Sequence, residues 1–125
     1  MVSKKSRLVY EFTGVSTSQT IDIDPATLGM DDGNNLSTVD SAFMIDVNAI
    51  SQSASFGGFI RRRAGYSYKS STLAFEGDDT ISILSGNISS AVFTVSGGNI
   101  RITLNLAFAV PTNIRVFVEA WGYNN

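Results

Sequence analysis

The residues that could do chemistry in this chain are carboxylates, arginines and a few aromatic rings. There is no histidine and no cysteine in 125 residues. The side chain that titrates near neutral pH, and with it the usual general acid/base and metal ligand, is therefore missing. A thiolate nucleophile, a disulfide and a thiolate metal site are excluded as well. Eleven carboxylates remain. A glycosidase needs two that face each other at about 5–10 Å, but here they fall on alternating strands and in turns, as in Asp22, Asp24, Asp78 and Asp79. Asp31-Asp32-Gly33-Asn34-Asn35 offers hard oxygens suited to calcium. Its glycine falls too early for the calcium-loop pattern and no glutamate follows at the required distance, so it reads as a turn. We expect no catalytic residues, no metal and no cofactor.

Arg61-Arg62-Arg63 is the single charge cluster. In a strand Arg61 and Arg63 point one way and Arg62 the other, so at least one leans toward a buried side or a neighbouring chain. The guanidinium fork suits carboxylates across a subunit boundary; three solvated arginines on an edge strand are the plainer reading. No aromatic interleaving accompanies the run, which argues against nucleic acid. Tyr66, Tyr68, Trp121 and Tyr123 could stack on sugar rings in one groove, or serve a core or a protein interface. Lys4, Lys5 and Arg7 form a basic start.

The elements that position these residues are short strands. Leu8, Tyr10 and Phe12 share one face; Ile21 and Ile23 do the same before Pro25. Residues 25–40 are loop chemistry, long enough to expect a role or a neighbour to pack on, with a helical turn possible near Ala26–Met30. Phe43, Ile45, Val47 and Ala49 alternate against Met44, Asp46 and Asn48. Phe59–Tyr68 carries the arginines. Thr72–Phe75 and Thr80–Leu84 read as two strands around Glu76-Gly77-Asp78-Asp79. Ser96-Gly97-Gly98-Asn99 is a hairpin turn between apolar alternations. Ile100–Leu106 and Ile114–Trp121 complete the chain. The expected core is Leu8, Tyr10, Ile21, Phe43, Ile45, Val47, Phe75, Ile81, Ile83, Phe93, Val95, Ile100, Ile102, Leu104, Ile114, Val116 and Val118. Eight or nine strands with turn signals every 8–12 residues predict an all-β fold. We expect one antiparallel β-sandwich, jelly-roll-like, over residues 7–125, preceded by a flexible basic arm at 1–6.

Bulk properties narrow the partners. Charged residues are 16% of the chain and apolar ones 43%, against a usual charged share of about 25%. Much of the surface must then be Ser, Thr, Asn and Gly, which suits crowded or symmetric assemblies. A net charge of −2 and a pI near 4.8 do not support wrapping around nucleic acid. No apolar run approaches the roughly 20 residues of a membrane span, and no signal core follows the basic start.

From Ser41 onward the order of features resembles a family of small phage virion β-domains. The likeness is carried by Ala42–Ala49, by Gly58-Phe59-Ile60-Arg61-Arg62-Arg63-Ala64-Gly65 and by Leu73–Asp79. Ala91–Val95 with Ile100–Leu104, and Ile114–Ala120, complete it. Where the family carries a tryptophan in the first of these strands, this chain has Phe43. The resemblance implies a non-enzymatic viral structural protein that assembles as a homo-oligomer, a trimer being favoured. It implies a capsid decoration (cement) protein on a phage head, made in the host cytoplasm and bound to the major capsid protein or another virion protein, with the basic arm reaching onto the shell. The alternative is a tail or head fibre module binding host-surface glycans through Tyr66, Tyr68 or Tyr123. The interface residues expected are Lys4, Lys5, Arg7, Arg61, Arg62, Arg63, Tyr66, Tyr68, Trp121 and Tyr123. A hydrolase is the third class.

Overall fold

A computed structural model describes residues 2–28, 41–55, 57–69, 72–83 and 86–124. The described residues form eight antiparallel strands: β1 (Val2–Val15), β2 (Ser18–Ile23), β3 (Ser41–Gln52), β4 (Gly57–Lys69), β5 (Thr72–Ile83), β6 (Ile88–Ser96), β7 (Asn99–Leu106) and β8 (Thr112–Asn124). A 3-10 turn, Pro25–Leu28, follows β2, inside the stretch where a helical turn is expected. The rest of that loop, 29–40, lies outside the described residues.

Two sheets form, one of order β1-β8-β3-β4-β5 and one of order β2-β7-β6. β3, β4 and β5 run as a meander, and β8 returns to lie beside β3, which is Greek-key order. The expected antiparallel sandwich is observed. The sheets divide five and three, because β4 and β5 stay with β3 as successive hairpins.

Alternation explains the core. Phe43, Ile45, Val47 and Ala49 of β3 turn inward beside Ile114, Val116, Val118 and Ala120 of β8. They meet Ile21, Ile23, Ala91, Phe93, Ile100, Ile102 and Leu104 from the smaller sheet. The Gly97–Gly98 corner joins β6 to β7 with both residues at positive φ (58° and 79°), a backbone that glycine adopts without steric cost.

Three expectations are corrected. Phe75 is 39% exposed rather than core: it sits on the edge strand β5, with its ring edge-on to Tyr66. Thr72–Ile83 is one strand, not two. The ladder to β4 shifts between Gly65 and Tyr66, and Gly77 takes a φ of 154°, so pairing continues through the acidic segment. Residues 2–6, read as a loose arm, continue β1 along β8, with Lys4 opposite Gly122 and Lys5 opposite Trp121. Pairing satisfies the backbone groups that face β8, while β1 remains the open edge of the sheet. Ile81 and Ile83 belong to β5, but their side chains lie outside the described ones.

One buried polar group closes the far end. Asn87 is fully buried, and its amide donates to Phe108 O (3.1 Å) and Thr112 Oγ1 (2.8 Å) while Phe108 N donates to its Oδ1 (2.7 Å). The sequence reads Asn87 as an ordinary turn residue. In the fold it stitches the β7–β8 connection.

Candidate functional site: the outer face of the five-stranded sheet

Directly opposed residues of neighbouring strands share a face and lie within side-chain reach. The register therefore defines rows across the outer face of the larger sheet. One row is charged: Arg7, Glu119, Asp46, Arg63 and Asp79, on β1, β8, β3, β4 and β5. A second runs Lys5, Trp121, Met44, Gly65, Gly77 in the same strand order. On the other side of the charged row lie Val9, Phe117, Asn48 and Arg61, then Glu11, Arg115, Ile50 and Phe59.

Most of these charges are paired within the sheet. Arg7 donates to Glu119 Oε1 at 2.7 Å. Arg61 grips Asp46 with two hydrogen bonds, 3.3 Å from Nε and 2.8 Å from the terminal nitrogen, and Arg63 approaches the same carboxylate at 3.7 Å. Arg115 is bridged to Glu11. Asp46 and Glu119 are direct neighbours of like sign, and each is neutralised by its own arginine. Under this cover Asp46 is only 3% exposed although it faces outward. The Asp46 hydrogen bond and charge raise the Arg61 guanidinium still further.

Large apolar groups stand around these pairs. Val9 and Ile50 are about half exposed (51% and 53%), with Phe59 at 39% and Met44 at 37%. Trp121 is half-buried beneath the Lys5 ammonium, 5.6 Å from the ring centre. Two shallow hollows of about 360 and 370 Å³ flank Ile50, one bounded by Arg115 and Phe117, the other by Phe59.

The remaining expected site residues go elsewhere. Arg62 points between the sheets, bridging Asp78 at 2.8 Å, hydrogen-bonding the Ala91 carbonyl and lying 5.4 Å from the Phe93 ring centre. Tyr66 is 1% exposed, its hydroxyl donates to Thr94 O at 3.1 Å, and burial pushes its phenol far above the usual tyrosine range. Tyr68 packs against the core. Tyr66 offers no ring to a sugar and Tyr68 is partly covered, because the inward set of β4 is Ile60, Arg62, Ala64, Tyr66 and Tyr68. Lys4 and Tyr123 lie on strands, with side chains outside the described ones. Val9, Asp46, Ile50, Phe59, Gly65, Phe117 and Glu119 are the site residues that sequence reasoning missed. The Met44, Asp46, Asn48 set opposite the β3 core was the visible signal.

The described residues form a two-sheet antiparallel β-sandwich whose larger outer face mixes paired charges with exposed apolar groups. No family model matches the sequence, and no curated protein matches it. Among solved structures, the chain is similar to the tailspike protein of Acinetobacter phage vB_ApiP_P1 (TM-score 0.45, 11% identity), covering 94% of this chain and 22% of that one. It is also similar to the tailspike protein of Acinetobacter baumannii phage AM24 (TM-score 0.48, 10% identity), covering 98% of this chain and 27% of that one. The chain thus spans about a quarter of the length of each.

Proposed function

We propose that this chain is a non-enzymatic structural module of a phage particle, joined to its neighbours through the outer face of the five-stranded sheet. The observation that carries the reading is the composition of that face: Val9, Met44, Ile50 and Phe59 are exposed around charges already neutralised in the plane of the sheet. Covering such a face removes apolar surface from water, and Arg7, Glu119, Arg61, Asp46, Arg115 and Glu11 go under cover already paired. Support for a virion setting comes from the resemblance carried by residues 41–120.

Of the two placements, a tail or fibre module is preferred to a shell-decorating protein. In the decoration reading a basic arm could reach onto the capsid, and that segment is taken up by β1, with Lys5 over Trp121 and Arg7 on Glu119. Glycan recognition through Tyr66 and Tyr68 is not part of the proposal, since both turn inward.

The test is immunoelectron microscopy with antibodies against the purified chain, applied to purified particles of the phage that encodes it. Label on the tail is the expected result. Label on the head restores the decoration reading, and unlabelled particles overturn the virion assignment. Turnover on a broad polysaccharide panel would overturn the non-enzymatic part.

A further inference from the structure

The outer face of the larger sheet has β3 at its centre, with β8 and β1 on one side and β4 and β5 on the other. A two-fold axis in the plane of this face, running along β3, would stack a second copy on it. Each row would then lie over the same row read backwards. The charged row becomes self-complementary: Arg7 of one copy meets Asp79 of the other, and Glu119 meets Arg63. In the next row Trp121 falls over Gly65, a strand position with no side chain, and Met44 meets Met44. Beyond, Arg115 lies over Phe59, a cation–π geometry, and Ile50 meets Ile50. Phe59 is then aimed at the hollow bounded by Arg115 and Phe117. Asp46 meets itself on the axis, where Arg61 and Arg63 already hold its oxygens.

A two-fold across the strands fails the same test. It would set Arg7 against Arg7 and Glu119 against Glu119. Of these two stackings, with the second axis laid on the charged row, only the one about β3 matches the charges.

Area is adequate. Five strands at about 4.8 Å spacing and about eight residues at 3.3 Å give a face of roughly 600 Å² in projection. Two such faces reach the lower end of specific interfaces, about 1,200 Å² in total. Stacked sheets pack about 10 Å apart with their strands near alignment, as this axis requires. We propose that a second copy of this chain is the occupant, pairing isologously about β3. The proposal rests on the contact-surface reading above and names its partner.

Sedimentation equilibrium tests it on the full chain at about 100 μM, a concentration suited to the weaker interfaces of this size. The expected species is twice 13.4 kDa. Gly65→Val should keep the fold, since a Cβ there meets nothing within 4 Å, and an unchanged circular dichroism spectrum checks it. The substitution fills the place of the partner's Trp121 and should weaken pairing at least tenfold. Asp79→Arg should do the same, and adding Arg7→Asp should recover much of the loss. In the cysteine-free chain, Met44→Cys should be joined to its copy by a short bismaleimide, whereas Thr94→Cys on the other sheet should not. A monomeric parent chain overturns the proposal, as does Gly65→Val with unchanged mass and circular dichroism. A monomer that still labels phage particles gives the face to another virion chain. A dimer absent from particles keeps the pairing and overturns the virion placement.

Discussion

Each outer face of this sandwich carries an arginine that forks onto an aspartate of the neighbouring strand, and the two pairs live in different surroundings. On the larger sheet Arg61 holds Asp46, whose side chain is 5% exposed. On the smaller sheet Arg101 holds Asp22 at 2.8 and 3.0 Å, and that carboxylate is 41% exposed. Around Asp46 stand Met44, Ile50, Phe59 and further charges. Around Asp22 stand Thr94, Thr103, Asn105 and Ser90, with Val92 the large apolar residue in the open there. The same pairing motif leaves its carboxylate solvated on one sheet and covers it almost completely on the other. What surrounds an ion pair, rather than its geometry, decides what it does.

The largest effect expected lies between the two faces. Arg62→Ala strands Asp78 and the Ala91 carbonyl and empties the space against Phe93, costing about 3 kcal/mol in urea unfolding, as removal of one partner from a mostly buried pair does. Next comes the comparison itself. Asp46→Asn leaves Arg61 and Arg63 without their carboxylate and should cost about 2 kcal/mol, while Asp22→Asn should lower the unfolding midpoint only slightly. Equal losses at the two sites would erase the distinction between the faces.

Ionisation sharpens it further. Burial raises the Tyr66 phenol, so its contribution to stability is complete below the ordinary tyrosine pKa of about 10 and is lost as pH rises beyond it. Unfolding measured between neutral and strongly alkaline pH should therefore show a loss that Tyr66→Phe removes, at a constant cost of about 1 kcal/mol for the Thr94 hydrogen bond. The smallest effect is at Asp22. The Arg101 hydrogen bond, helped by its charge, holds that carboxyl below the usual carboxylate range. Its stabilising part is present above pH about 4 and fades as acid protonates it, and Asp22→Asn should flatten only that shallow limb.

Much of the fold is legible in the sequence because one face of most strands is wholly apolar. Phe43, Ile45, Val47 and Ala49, or Ile100, Ile102 and Leu104, leave no choice of side. β4 hides its direction: its inward set includes Arg62, and its aromatics Tyr66 and Tyr68 look exposed to a reader who counts polarity. Tyr66 is inside because Thr94 O takes its hydroxyl, a partner 28 residues away. Asn87 is missed for the same reason, since its satisfaction comes from Phe108 and Thr112. The contact face is illegible for another cause. Its rows join residues from β1, β8, β3, β4 and β5, and only the non-local pairing of β8 with β1 and β3 brings Glu119 between Arg7 and Asp46. The arginine run announces charge, but its carboxylate partner Asp46 sits among apolar residues and reads as a solvated face.

The most direct test of the account places one lysine on each outer face. Ile50→Lys and Val92→Lys replace apolar groups of similar exposure, 53% and 42%, neither of them in the core, so both chains should fold with thermal midpoints close to the parent's. Light scattering behind a sizing column then compares their masses at matched concentration. The account predicts that Ile50→Lys falls to the mass of one chain while Val92→Lys keeps the parent's larger mass. Two variants that both keep the parent's mass, or both lose it, would contradict the assignment of the five-stranded sheet as the working surface.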